Sequence, residues 1–175
     1  MDDFVIDAFD CSRLKERREG AVVISSLARL FAETVTDSSA KNGASAASLH
    51  WSVLGGVDAY GHPQLLLSVA GTVRLMCQRC MTPFDFVIAS ESALLLARSE
   101  AHADEIEAAL EDDSVDVIVG SKALNLLELI EDEALLAIPL APKHDVCPEH
   151  ATSDVLERTK KPSPFDVLKD FKQGN

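Results

Sequence analysis

Between residues 47 and 96, apolar side chains recur at every second position in three successive runs. Leu49, Trp51 and Val53 carry the first run. Leu65, Leu67, Val69, Gly71, Val73 and Leu75 carry the second. Phe84, Phe86 and Ile88 open the third, which passes into a longer apolar stretch ending near Leu96. Successive side chains of a strand point to opposite faces, so a period of two means one face buried and one in solvent. Gly55-Gly56 and Gly61-His62-Pro63 punctuate the first gap. Three such neighbours joined by short turns predict an antiparallel meander, and the fold class expected is α+β: an antiparallel sheet packed by a few helices.

The flanking segments supply those helices. Asn125 to Ala137 is the clearest. Asn125 is placed to cap it, and Glu128 follows three residues later, as in a capping box. Leu126, Leu127, Ile130, Ala134 and Leu135 share one face, while Glu128, Glu131 and Asp132 lie largely on the other. Pro139 and Pro142 end the helix. Ser26 followed by Leu27 to Glu33 reads as a short capped helix, and the charged stretch from Ser12 to Glu19 reads as helix or turn ending at Gly20. Phe4 to Asp7, Ala21 to Ile24, and Val115, Val117 and Val119 read as short strands. Glu100 to Asp113 is acidic, with Ile106 and Leu110 four apart, and is expected to be a surface helix or a mobile segment.

At 175 residues the chain is long enough for one hydrophobic core. The expected organisation is a single domain over residues 1–150, followed by a linker and short amphipathic tail over 151–175. Lys161-Pro162-Ser163-Pro164 marks the linker, and Phe165, Leu168 and Phe171 recur every three residues beyond it. Apolar runs such as Ala134 to Pro142 are far below the roughly 20 residues of a spanning helix, so no membrane association is expected. The start Met1-Asp2-Asp3-Phe4 lacks the basic and apolar regions of a secretory signal, which predicts a cytoplasmic protein.

The formal net charge is -13, which disfavours broad binding to phosphate backbones. The charge is also uneven. From Glu100 to Glu133 twelve acids face Lys122 alone, whereas Arg13 to Arg18 holds four bases and one acid, and the tail carries Arg158, Lys160, Lys161, Lys169 and Lys172. An acidic middle with basic ends suits docking to a basic protein or a small local contact with RNA; the alternative is a solvated acidic surface.

Cys77-Gln78-Arg79-Cys80 is the most distinctive local feature. Two thiols separated by two residues can grip one Zn²⁺, and a structural site then needs two further ligands. Cys147 and His150 have the same gap, so Cys77, Cys80, Cys147 and His150 form a chemically sensible set, with His144 close by. The 66 residues between Cys80 and Cys147 exceed compact finger spacings, so the fold would have to assemble it. The competing reading is small, soft, buried cysteines without a ligand. A thiol redox pair is a third reading, disfavoured because the sequence after Cys80 reads as a strand rather than the helix of a thioredoxin-like site. No phosphate-cradling glycine loop, nucleophile elbow or helical His pair occurs, so no catalytic residues and no small-molecule substrate are expected. Zinc is the one cofactor the pattern admits.

Three patches, in order, resemble the YceD family. They are Val73 to Phe84 with its CQRC and Pro-Phe turn, the acidic helix and Pro-flanked end from Leu127 to His144, and the tail Lys161 to Leu168. The resemblance implies a non-enzymatic role in the synthesis, processing or stability of large-subunit ribosomal RNA. The partner it implies is a ribosomal protein or rRNA-processing factor, with ribosomal RNA touched locally. With the charge asymmetry, it points to Arg79, Glu128, Glu131, Asp132, Glu133, Lys160, Lys161, Phe165 and Leu168 as partner-binding residues. Of the candidate metal ligands, only Cys77 and Cys80 match the family motif.

Overall fold

The computed structural model describes residues 4–35, 47–110 and 115–148. The expected tail over 151–175, including Lys160, Lys161, Phe165 and Leu168, lies outside the described residues, as does His150. The class is α+β, with a mostly antiparallel sheet and four α-helices among the described residues.

Elements run β1 (Val5–Ile6), α1 (Ala8–Leu14), β2 (Arg17–Val23), a short 3₁₀ turn, α2 (Ala28–Glu33), β3 (Ser48–Val57), β4 (Pro63–Met76), β5 (Pro83–Ala97), α3 (Glu100–Ala109), β6 (Asp116–Val119), β7 (Leu124–Asn125) and α4 (Leu126–Leu136). The main sheet has the order β2-β3-β4-β5-β6, and β1 pairs with β7 in a separate ribbon. The predicted meander is β3, β4 and β5. Its period-two residues Leu49, Val53, Leu65, Leu67, Val69, Val73, Leu75 and Ile88 are all buried on the face covered by α1 and α4.

The long apolar run ending β5 has a different cause. Leu94 and Leu96 face the main core, whereas Leu95 and Ala97 join Ala103 and Ile106 of α3 in a second cluster on the opposite face. A strand covered on both sides needs no polar alternation. The acidic segment is therefore a helix over most of its length, capped by Ser99, whose Oγ accepts from the His102 amide. It serves as the crossover that makes β6 parallel to β5, where a meander alone would have continued antiparallel.

Three local expectations are corrected. Arg17 to Gly20 is strand: β2 pairs with β3 from Arg17↔Leu54 to Val23↔Ser48. Its charges belong to an edge strand, where Arg17 and Glu19 pair in solvent, and charged edges resist unwanted strand pairing. The preceding helix starts earlier, at Ala8, because the Asp7 carboxylate accepts from the Phe9 and Asp10 amides at 3.1 Å each. Helix α2 begins two residues beyond Ser26 and takes no cap from its own flank. Its first amides instead meet Glu131 of α4. Glu131 is accordingly buried, not on the solvent face of α4.

Helix α4 otherwise follows the sequence. The Asn125 side chain accepts from the Leu127 amide at 3.1 Å and donates to Glu128 at 2.9 Å. Ile130, Leu126 and Ala134 are fully enclosed, and Leu127 and Leu135 are half-buried. Helix α1 crosses β3 at Gly55, where a Cβ would lie 2.0 Å from the Cys11 carbonyl oxygen.

Candidate metal centre

Strand β4 ends at Met76 and the chain reverses through Cys77–Thr82 into β5. The turn is closed by backbone bonds: the Cys77 amide donates to the Thr82 carbonyl at 3.0 Å and the Met81 amide to the Cys77 carbonyl at 2.9 Å. Met81 takes the left-handed conformation, φ 58°, needed to tighten it. This knuckle points both thiols inward, and Cys77 and Cys80 are buried.

The segment after α4 is tied to this knuckle. The Gln78 amide donates to the Pro142 carbonyl at 2.9 Å, and the Gln78 side chain reaches the Leu140 carbonyl at 3.4 Å. Arg79 donates from Nη2 to the His144 carbonyl and from Nε to Cys147 Sγ, both at 3.0 Å. The His144 ring rests on Phe84, centroids 4.8 Å apart. These contacts bring two more donors to the CxxC thiols. Cys77 Sγ lies 3.8 Å from Cys147 Sγ, and Cys80 Sγ lies 3.4 Å from His144 Nδ1. The four ligand atoms all fall within 4.8 Å of one another.

The environment favours thiolate at Cys77. Burial pushes its pKa up, but hydrogen bonding by the His144, Cys80 and Arg79 backbone and the His144 side chain outweighs this and brings it down to about 5. Cys11 lies apart, buried beneath β3. Burial and the nearby Glu16 push its pKa up, as befits a packing residue.

The fold therefore gathers Cys77, Cys80 and Cys147 of the predicted set and adds His144. The spacing analogy drew attention to His150 because Cys147–His150 repeats the CxxC gap. His144 stands at the same gap on the other side of Cys147, a symmetry the sequence could have exposed. The acids singled out on α4 have partners within the fold: Glu128 takes a bond from Asn125, Glu131 and Asp132 hold Arg29, and Glu133 accepts from Ser90. Arg79 is engaged with Cys147 and His144.

A depression of about 740 Å³ lies at the other end of β4. It is lined by Tyr60, Leu95, Ile106, Leu110 and the paired Asp58 and His62. Asp58 there accepts from the Tyr60 and His62 amides, the work of a turn residue.

Residues 65–172 match the family described as "Large ribosomal RNA subunit accumulation protein YceD". The chain belongs to the YceD family. A protein of that name from Haemophilus influenzae is 31% identical over 125 residues, covering 65% of this chain and 70% of its own length. No solved structure matches the chain. The matched region takes in β4, β5, α3, α4 and all four clustered donors. The family's name concerns accumulation of an RNA, not a reaction. No helix among the described residues is long and apolar enough to cross a membrane.

Proposed function

We propose that this YceD-family chain promotes accumulation of large-subunit ribosomal RNA during ribosome biogenesis, without catalysing a reaction, by contacting a ribosomal protein or rRNA-processing factor. The observation that carries this reading is the family match over residues 65–172.

The chemistry of the chain agrees with it. The Cys/His cluster found among the described residues offers four protein donors, a closed set of the structural kind, whereas catalytic zinc sites keep a position open for water or substrate. A net charge of -13 opposes indiscriminate binding to RNA and favours a basic protein partner. Glu131 and Asp132 are engaged with Arg29, whereas Glu100, Asp104, Glu105 and Glu107 of α3 are exposed and offer an acidic surface to such a partner. The basic, apolar-spaced tail with Lys160, Lys161, Phe165 and Leu168 supplies a second contact, to the same partner or locally to ribosomal RNA.

Sucrose-gradient sedimentation of cell extract containing the tagged full chain tests this reading. Co-migration with large-subunit precursors is expected, persisting after mild RNase treatment when the contact is to protein and lost when it is to RNA. Sedimentation as free protein at low salt in growing cells would contradict it.

A further inference from the structure

We propose that Cys77, Cys80, His144 and Cys147 bind one Zn²⁺ in a closed tetrahedral site. This assignment stands independently of the ribosomal role.

The distances carry it. Tetrahedral zinc, with Zn–S near ~2.3 Å and Zn–N near ~2.0 Å, separates two thiolates by about 3.8 Å and a thiolate from an imidazole nitrogen by about 3.5 Å. The observed Cys77–Cys147 and Cys80–His144 separations are 3.8 and 3.4 Å, so two edges of the tetrahedron are already at their required lengths. A disulfide would need the sulfurs at about 2.0 Å. Two of the donors are buried and two half-buried, on a knuckle and a segment already fastened by four hydrogen bonds, so little reordering is needed to close the shell. Three thiolates and one imidazole are soft donors in a set that suits zinc and disfavours Mg²⁺ or Ca²⁺.

The charges also balance. On ligation each thiol still protonated releases its proton to solvent, and Zn²⁺ with three thiolates and a neutral imidazole carries a net charge of -1. Arg79, donating to Cys147 Sγ at 3.0 Å, places one positive charge against that complex. His144 binds through Nδ1, the nitrogen facing Cys80, while its ring is steadied on Phe84. The ion would then hold down residues 139–148, which follow α4 without regular secondary structure and expose Leu140 and Val146. The staple sets where the chain departs toward its basic tail.

The full-length chain, purified without chelator, is measured for zinc by elemental analysis and, after exchange, with Co²⁺ by visible spectroscopy. One metal per chain and a tetrahedral cobalt spectrum with thiolate charge-transfer bands are expected. His144→Ala should weaken zinc by at least about 100-fold, more than the roughly 10–100-fold typical of losing an outer-shell partner, while His150→Ala leaves affinity unchanged. If His144→Ala does not fold, His144→Cys keeps the test alive: it should bind one cobalt with stronger charge-transfer absorption. Sub-stoichiometric zinc in the wild-type chain, loss of affinity in His150→Ala with retention in His144→Ala, or an unaltered cobalt spectrum in His144→Cys would each overturn the assignment.

Discussion

Glu131 and Arg29, 102 residues apart, are joined at three atoms: the Glu131 carboxylate accepts from the Arg29 amide at 2.7 Å and from its guanidinium at 3.0 Å on both Nε and Nη2. The same carboxylate accepts from the Leu30 amide at 3.1 Å. Helix α4 thus caps helix α2, and satisfies donors that would otherwise be orphaned where the two helices meet.

Removing that cap should be costly for so small a change. Glu131→Ala leaves two helix-terminal amides without an acceptor, and an unfolding free energy lower by about 1–2 kcal/mol is expected from denaturant titration. Glu131→Gln, which keeps an acceptor oxygen but loses the charge, should retain part of it. A stability equal to wild type in Glu131→Ala would mean the contact is not formed in solution.

The pair also predicts an acid response. Burial pushes the Glu131 pKa up, but the Leu30 amide, the Arg29 guanidinium and the Arg29 amide outweigh it, and the folded-state value lies below the ordinary one. A carboxylate lowered on folding stabilises above its unfolded pKa, about 4.3, and that contribution is lost as pH falls through the folded value. The stability difference between wild type and Glu131→Gln should therefore be full at pH 7 and shrink below about pH 4. A difference that grows on acidification has the wrong sign.

Gly55 tests the placement of α1. An alanine Cβ would collide with the Cys11 carbonyl at 2.0 Å, and that neighbour is backbone, which cannot rotate away. Gly55→Ala should destabilise by about 1–3 kcal/mol, read as a lowered melting temperature. Gly56→Ala, whose nearest neighbour is the Gln64 side chain at 3.8 Å, is the matched control and should be nearly silent.

Ile130 and Leu127 separate the two degrees of burial on α4. Ile130 is fully enclosed, so Ile130→Asp buries a charge without a partner and should cost several kcal/mol, about 4 or more, or prevent folding. Leu127 is half-buried, and Leu127→Asp should cost less. Equal melting of both variants and wild type would place this face wrongly.

How much of this was legible in the sequence follows from how local each determinant is. The alternation at Leu49, Trp51, Val53 and Leu65 to Leu75 announced β3 and β4 because strand burial is written into nearest neighbours. Asn125 announced α4 because its cap lies two residues away. Strand β2 was obscured by Arg17, Arg18 and Glu19, whose charges reflect an edge position that only the completed sheet defines. The cap on α2 comes from across the fold, and no local pattern at Ser26 could report it. At the candidate site, Cys77 and Cys80 were legible from their spacing. His144 is not legible as a donor from spacing alone, because its meeting with Cys80 depends on where the chain runs after Pro142.

The most direct measurement of the central claim is the ratio of large- to small-subunit ribosomal RNA in cells depleted of this protein, with and without re-expression of the intact chain. A fall in that ratio on depletion, restored by the chain, is the predicted result. An unchanged ratio under complete depletion would contradict the account.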